Sequence, residues 1–142
     1  MVELIMLLVV VGVLAVVAAP LFEHKAFEER GFYDEVASAA RYAKTLAITS
    51  GCEVQLSISA NAYVLNQRAT DCASGAFTRD VIHPGSGTAM SAVAPGDVTL
   101  AMTNNPVVFN ALGNTADQVD RTVTVSSKPF TIIGATGFVQ VP

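Results

Sequence analysis

Charge is what this sequence has least of. Only 14% of its 142 residues are charged, against about 25% in an ordinary globular domain. The 8 Lys and Arg are outnumbered by 12 Asp and Glu, for a formal net charge of −4, a balance that excludes a polycationic nucleic-acid coat. Tryptophan is absent, and cysteine and histidine occur twice each. Cys52 and Cys72 alone can build neither a zinc ribbon nor a multi-disulfide miniprotein. His24 and His83 are too far apart in sequence to suggest a metal site, and a solvated or core role is the simpler reading. No Gly-x-Ser-x-Gly elbow occurs, and Gly85-Ser86-Gly87 lacks the lysine and following helix of a phosphate loop. Asn114, Asp117 and Asp120 depart from the spacing of a calcium loop. The sequence therefore carries no catalytic residue set, no metal ligands and no cofactor fingerprint, and its chemistry reads as structural rather than enzymatic. Intrinsic disorder is excluded by a hydrophobic content of 51%.

That apolar content is concentrated at one end. From Leu4 to Phe22 no side chain is charged, and as a helix this run spans roughly 28 Å at 1.5 Å per residue, close to a hydrocarbon core of about 30 Å. It predicts a membrane-crossing anchor. No Lys or Arg precedes it and Ala18-Ala19-Pro20 is a poor cleavage site, which argues against a cleaved secretory signal. Glu3 stands at the lip of this run, where carrying a carboxylate to mid-membrane costs about 2.5–3.5 kcal/mol. Such a residue needs a partner, and an amino terminus is the nearest candidate. Its charge also suits the positive end of the helix dipole. Pro20 lacks a backbone N–H and clashes one turn back, so a kink or local melting is expected there.

Beyond Pro20 the apolar pattern becomes one-sided. Phe22, Ala26, Tyr33, Val36, Ala40, Ala43 and Ala47 recur at helical spacing, and Thr49-Ser50-Gly51 supplies a stop. The expectation is a helical rod from Leu4 to about Ser50, roughly 70 Å long. From Cys52 the period falls to two. Strands are expected at 52–58, 62–67, 76–83, 98–103, 106–110, 122–126, 129–133 and 137–141, with the stretch Pro84 to Gly96 as a loose surface loop. The chain divides accordingly into 1–22, a membrane or filament-core segment; 23–51, an amphipathic continuation; and 52–142, a β-rich body. The fold class is α+β, with an antiparallel sheet using the helix stripe to cover its apolar face. A hairpin turning about Ser59 to Asn61 brings Cys52 and Cys72 near its open end, at a separation suited to a disulfide. Two free thiols in a cytosolic protein are the alternative, which an anchored body in an oxidising compartment disfavours.

Glu3, the run Leu4 to Ala19 and Pro20 together resemble the N-terminal helix of type IV pilins and type II secretion pseudopilins, which share this glutamate-to-proline spacing. The mature family chain opens Phe-Thr-Leu-Ile-Glu, whereas Met1 and Val2 precede Glu3 here and the basic leader is not seen. The order of features after the helix is similar to the GspH/FimT branch: Ala39-Ala40-Arg41 leading into a strand, and Phe109 to Gly113 in place of Phe-x-Pro-x-Gly, with Ala111 for proline. The resemblance implies a filament subunit held in a bacterial inner membrane by a single pass, its body in the periplasm, then moved into a periplasmic or extracellular fibre. It implies as partners other pilin or pseudopilin subunits, an inner-membrane assembly platform, and a prepilin peptidase with N-methylation. Glu3 would be the assembly residue. FimT-like minor pilins include DNA-uptake proteins, but the Gly-Arg-x-Arg motif of that branch falls on Gly137 to Gln140, where Phe138 and Gln140 stand in the arginine positions. The 52–142 segment carries 6 acidic and 4 basic residues, so nucleic acid is not an expected partner. A major pilin and a monomeric membrane-tethered binding domain are the remaining alternatives.

Overall fold

A stripe of small side chains decides how the body is built. The computed structural model describes residues 2–18 and 24–142, with backbone only for 15–18 and 24. Helix α1 runs Val2–Ala18 and α2 His24–Ser50. The expected rod is thus described as two helices, and Pro20 lies outside the described residues. Along α2, Phe32, Tyr33, Val36, Ala37, Ala39, Ala40, Ala43 and Ala47 are buried, a 3.6-residue repeat on one face. Because alanine dominates its lower half, the helix axis can approach the strands closely without a thick layer of side chains between them. Ala26, expected on this stripe, is exposed; there α2 is tethered by an exposed Lys25–Asp97 ion pair at 3.1 Å rather than by apolar contact. Gly51 ends the helix in the left-handed region at φ 67°, a conformation that glycine adopts without a Cβ penalty.

Two antiparallel sheets lie against the stripe. One contains β1 (Val54–Ser59), β2 (Ala62–Arg68), β3 (Phe77–Asp80), β4 (Ser91–Val93) and β6 (Val107–Phe109) in the order β3-β2-β1-β6, with β4 also paired to β2. The other is β5 (Leu100–Met102), β7 (Arg121–Val125), β8 (Lys128–Ile133) and β9 (Phe138–Gln140), in the order β5-β7-β8-β9. Inward positions alternate as the period-two pattern requires: Val54, Leu56 and Ile58 on β1, Tyr63 and Leu65 on β2, Val123 and Val125 on β7, Phe130 and Ile132 on β8 are all buried. The β1–β2 hairpin pairs Ser59 with Ala62 across Ala60 and Asn61, both at positive φ. That two-residue turn matches the right-handed twist of the strands it joins.

The middle of the chain differs from its expected form. The strand expected over 76–83 is confined to Phe77–Asp80, with a register shift against β2 between Gln67 and Arg68. Within the expected loop, Ser91–Val93 forms β4 on the same edge of β2, Val64 pairing with Ser91. The handover occurs at Leu65, whose N–H donates to Met90 O while its carbonyl accepts from Val81 N, both at 3.1 Å. Three residues are too few for an alternating pattern to declare itself.

Cys52 and Cys72 are joined in a disulfide, Cα to Cα 4.1 Å, beside a backbone bond from Glu53 N to Cys72 O of 3.1 Å. Arg68 reinforces this end, pairing with Glu53 at 2.5 Å and lying 4.4 Å above the Phe77 ring. Closing a loop of this length contributes about 3 kcal/mol by the chain-entropy account. The expected result is that unreduced protein has no alkylatable thiol, while reduction exposes two and lowers the denaturation midpoint; two reactive thiols before reduction contradict the bond.

Candidate functional site

The surface with the most unusual chemistry is α1. Every described side chain from Val2 to Leu14 is exposed, Leu4 to 65%, Ile5 to 62% and Leu14 to 63%. Apart from Glu3, its 17 residues are apolar on all sides, rising about 26 Å along the axis. A helix greasy all round belongs in a lipid or protein interior. Among the described residues no helix is long and apolar enough to cross a membrane; part of the run Leu4 to Phe22 lies outside them. Glu3 sits in the first turn of α1. It lines a shallow hollow of about 320 Å³ with Met6, Leu7 and Val10, at the end of the helix where unsatisfied N–H groups favour an anion. A carboxylate here is thus ringed by apolar surface and open to an incoming cation.

Among the described residues the body leaves one buried side-chain polar atom, Asn114 Oδ1, without a partner. The Arg121 guanidinium, its side chain only 5% exposed, forks onto Asp117 with Nη1 at 2.9 Å and Nη2 at 2.6 Å. It also donates to Asn104 O at 2.9 Å and Val119 O at 2.8 Å. The Arg121 hydrogen bonds hold the Asp117 carboxyl well below the usual carboxylate range; they outweigh the opposing effect of burial, with lesser help from the Val119 N–H, the Arg121 charge and the Thr115 hydroxyl. Asp120 accepts from Gly134 N at 2.7 Å. Asp117 and Asp120 therefore serve protein donors, while the buried Asn114 Oδ1 has no hydrogen-bond partner; among the described residues no His, Cys, Asp or Glu cluster could hold a metal ion. His83 Nδ1 accepts from Gly85 N at 3.0 Å and Ser86 N at 3.3 Å, a turn-forming role. Tyr63 donates to Glu35 Oε1 at 2.9 Å; burial first, then this carboxylate, pushes its phenol above the ordinary tyrosine range.

The Phe109 to Gly113 element fastens the second sheet to the lower end of α2. Phe109 is fully buried, and Gly113 N returns to Asn110 O at 2.9 Å to close a tight turn. Gly113, at φ 84°, lies directly on the Ile48 and Lys44 side chains, and Gly137 lets the Gly113 carbonyl approach where any Cβ would collide. Neighbouring Phe138 is exposed on β9.

The structure thus places Glu3 on an open apolar helix and brings Cys52 and Cys72 together, while Pro20 falls outside the described residues. Sequence reasoning missed the Arg121–Asp117 clamp, because an i,i+4 pair signals contact only inside a helix. It also missed Phe27, 83% exposed, which the stripe pattern left without a role.

A body of two antiparallel sheets on one long helix, with the tight turn at 109–113, is the arrangement on which the comparisons bear. The family described as type II transport protein GspH matches residues 33–137. The chain belongs to the GspH family. Two crystal structures of the type IV minor pilin FimU from Pseudomonas aeruginosa strain PAO1 share the fold. One aligns over 83% of this chain and 90% of its own at 13% identity and TM-score 0.61. The other aligns over 77% and 88% at 14% identity and TM-score 0.56. No curated protein matches. In this GspH-family chain the matched region begins inside α2 and runs through β8, ending just before β9.

The clamp gives a pH dependence. Asp117 titrates lower folded than unfolded, so its contribution is present above its ordinary value, 3.8, and is lost as pH falls toward the folded value. Asp117→Asn is expected to cost about 2 kcal/mol at neutral pH, moderated because the carboxylate is half exposed, and to flatten the acid limb of the stability curve. An unchanged acid limb in urea titrations contradicts this role.

Proposed function

We propose that this chain is a minor pilin or pseudopilin, a filament subunit of a type IV pilus or a type II secretion system. The observation that carries the reading is α1: an all-apolar helix with uncovered side chains, joined to a body of the GspH family. Before assembly the run Leu4 to Phe22 anchors the chain in the bacterial inner membrane with the body on the periplasmic side, a side favoured by the Cys52–Cys72 bond. On assembly the lipid around α1 is exchanged for the equivalent helices of neighbouring subunits, and hydrophobic burial holds the fibre together. Pro20 allows the rod to bend or unwind during that transfer.

Glu3 supplies register. Within a bundle of apolar helices an unpaired carboxylate is strongly unfavourable, so the helix settles where a neighbour's cation, the amino terminus first of all, meets it. Prepilin peptidase processing, N-methylation and an inner-membrane assembly platform complete this reading by resemblance. The expected outcome for Glu3→Ala is an unchanged cellular level with recovery in sheared fibres down at least tenfold, as loss of about 1.4 kcal/mol or more of docking energy predicts. Entry into fibres at the normal level contradicts the role, and a detergent-solubilised chain that stays monomeric and never reaches fibres identifies a tethered binding domain instead.

A further inference from the structure

Helix α2 is docked on the sheets over only part of its length. From Lys25 to Gly31 every residue is exposed except Glu29, which is half-buried, and burial on the inner face starts at Phe32 and Tyr33. The first turns of the helix therefore contribute nothing to the apolar stripe that fixes the rest of it.

Hollows take the place of packed side chains around these turns. One, of about 150 Å³, lies between Lys25, Glu28 and Glu29 on the helix and Gly96, Asp97 and Ser126 on the body. A second, of about 410 Å³, opens beside Arg30 and Asp34 against Ser127, Lys128 and Pro142. Two ion pairs bridge the helix to the body here, Lys25 with Asp97 at 3.1 Å and Glu29 with Lys128 at 3.3 Å. Among the described residues no other ion pair reaches the segment. The Lys25 and Asp97 side chains are 87% and 89% exposed, and a pair so open to water holds weakly. Lys25 is moreover the one base facing three carboxylates, Glu28, Glu29 and Asp97, around the first hollow.

Gly31 marks the boundary. A Cβ there would have nothing within 4 Å, and the residue is helical, so neither a close approach nor a left-handed backbone calls for glycine. Its effect is to weaken the helix relative to alanine at the point where docking begins. Immediately beyond it the helix is fastened, with the Tyr33 hydroxyl donating to Pro129 O at 3.2 Å and its ring set edge-on against Phe130.

We propose that residues 24–31 form a joint: these turns lift from the sheets and unwind at Gly31 while Phe32 to Ser50 stays docked, so that the apolar rod and the body change angle without the body opening. Few buried contacts and weak polar ties are what mark a segment that opens locally. The use of the joint rests on the filament reading above, in which the body reorients as α1 passes from lipid to its neighbours.

Hydrogen exchange of the full-length chain in detergent tests it. Amides 28–31, whose helical acceptors lie within the segment, are expected to exchange at least about a hundredfold faster than those of Val36 to Ala47, whose acceptors begin at Phe32. Gly31→Ala is expected to slow the upper amides about fivefold and to leave 36–47 unchanged. Lys25→Glu is expected to speed them about threefold, and Lys25→Glu with Asp97→Lys to restore them to within about 1.5-fold. Equal protection of the two segments, or variants that shift both alike, overturns the joint. Recovery of Gly31→Ala in sheared fibres is expected to fall about threefold; slowed exchange with undiminished recovery overturns its use in transfer. Absence of the unsubstituted chain from fibres overturns the filament reading, while the exchange rates decide the joint by themselves.

Discussion

The constraint on which the molecule depends is that α1 has no cover of its own. Its exposed Leu, Ile, Val and Met side chains represent on the order of 10 kcal/mol of hydrophobic free energy that neither the body nor water can supply. The inward faces of both sheets pack on the buried stripe of α2, and the described α1 side chains are left uncovered by the body. An apolar rod and a finished domain are thus joined in one chain, and only lipid or other rods can satisfy the first. On the proposed reading the precursor is anchored in lipid, the assembled rod is covered by neighbouring subunits, and Glu3 left unpaired among them is costly.

Several contacts tie α2 to the sheets of the body. The Tyr33 ring meets Phe130 edge-on with centroids 5.6 Å apart and its hydroxyl donates to Pro129 O at 3.2 Å, tying α2 to β8. Lower down, Phe109, Gly113 and Gly137 bind the second sheet to the last turns of the helix. The disulfide and the Arg68 pairs then hold the open end of the first hairpin.

Periodicity made the larger elements legible. The stripe Val36, Ala40, Ala43 and Ala47 and the alternation Val54, Leu56 and Ile58 are both physical consequences of one face being buried, and both elements form where those patterns stand. The cysteine pairing followed from the hairpin. What stayed hidden depends on contacts remote in sequence. The three residues of β4 show no period, the Arg121–Asp117 fork forms because Asn104 and Val119 bring carbonyls to the same guanidinium, and Gly113 lies on Ile48, and Gly137 on the Gly113 carbonyl, only because neither glycine carries a Cβ. Ala26 misled for the opposite reason, since its spacing fits the stripe while its side chain is exposed.

The most direct measure of the account is the accessibility of α1 in lipid-free fibres. A full-length Val9→Cys chain, whose native cysteines are bonded to each other, should resist a membrane-impermeant maleimide in sheared fibres and react fully once detergent dissociates them. Equal labelling in both states would show that neighbouring subunits do not cover α1 and would contradict the account.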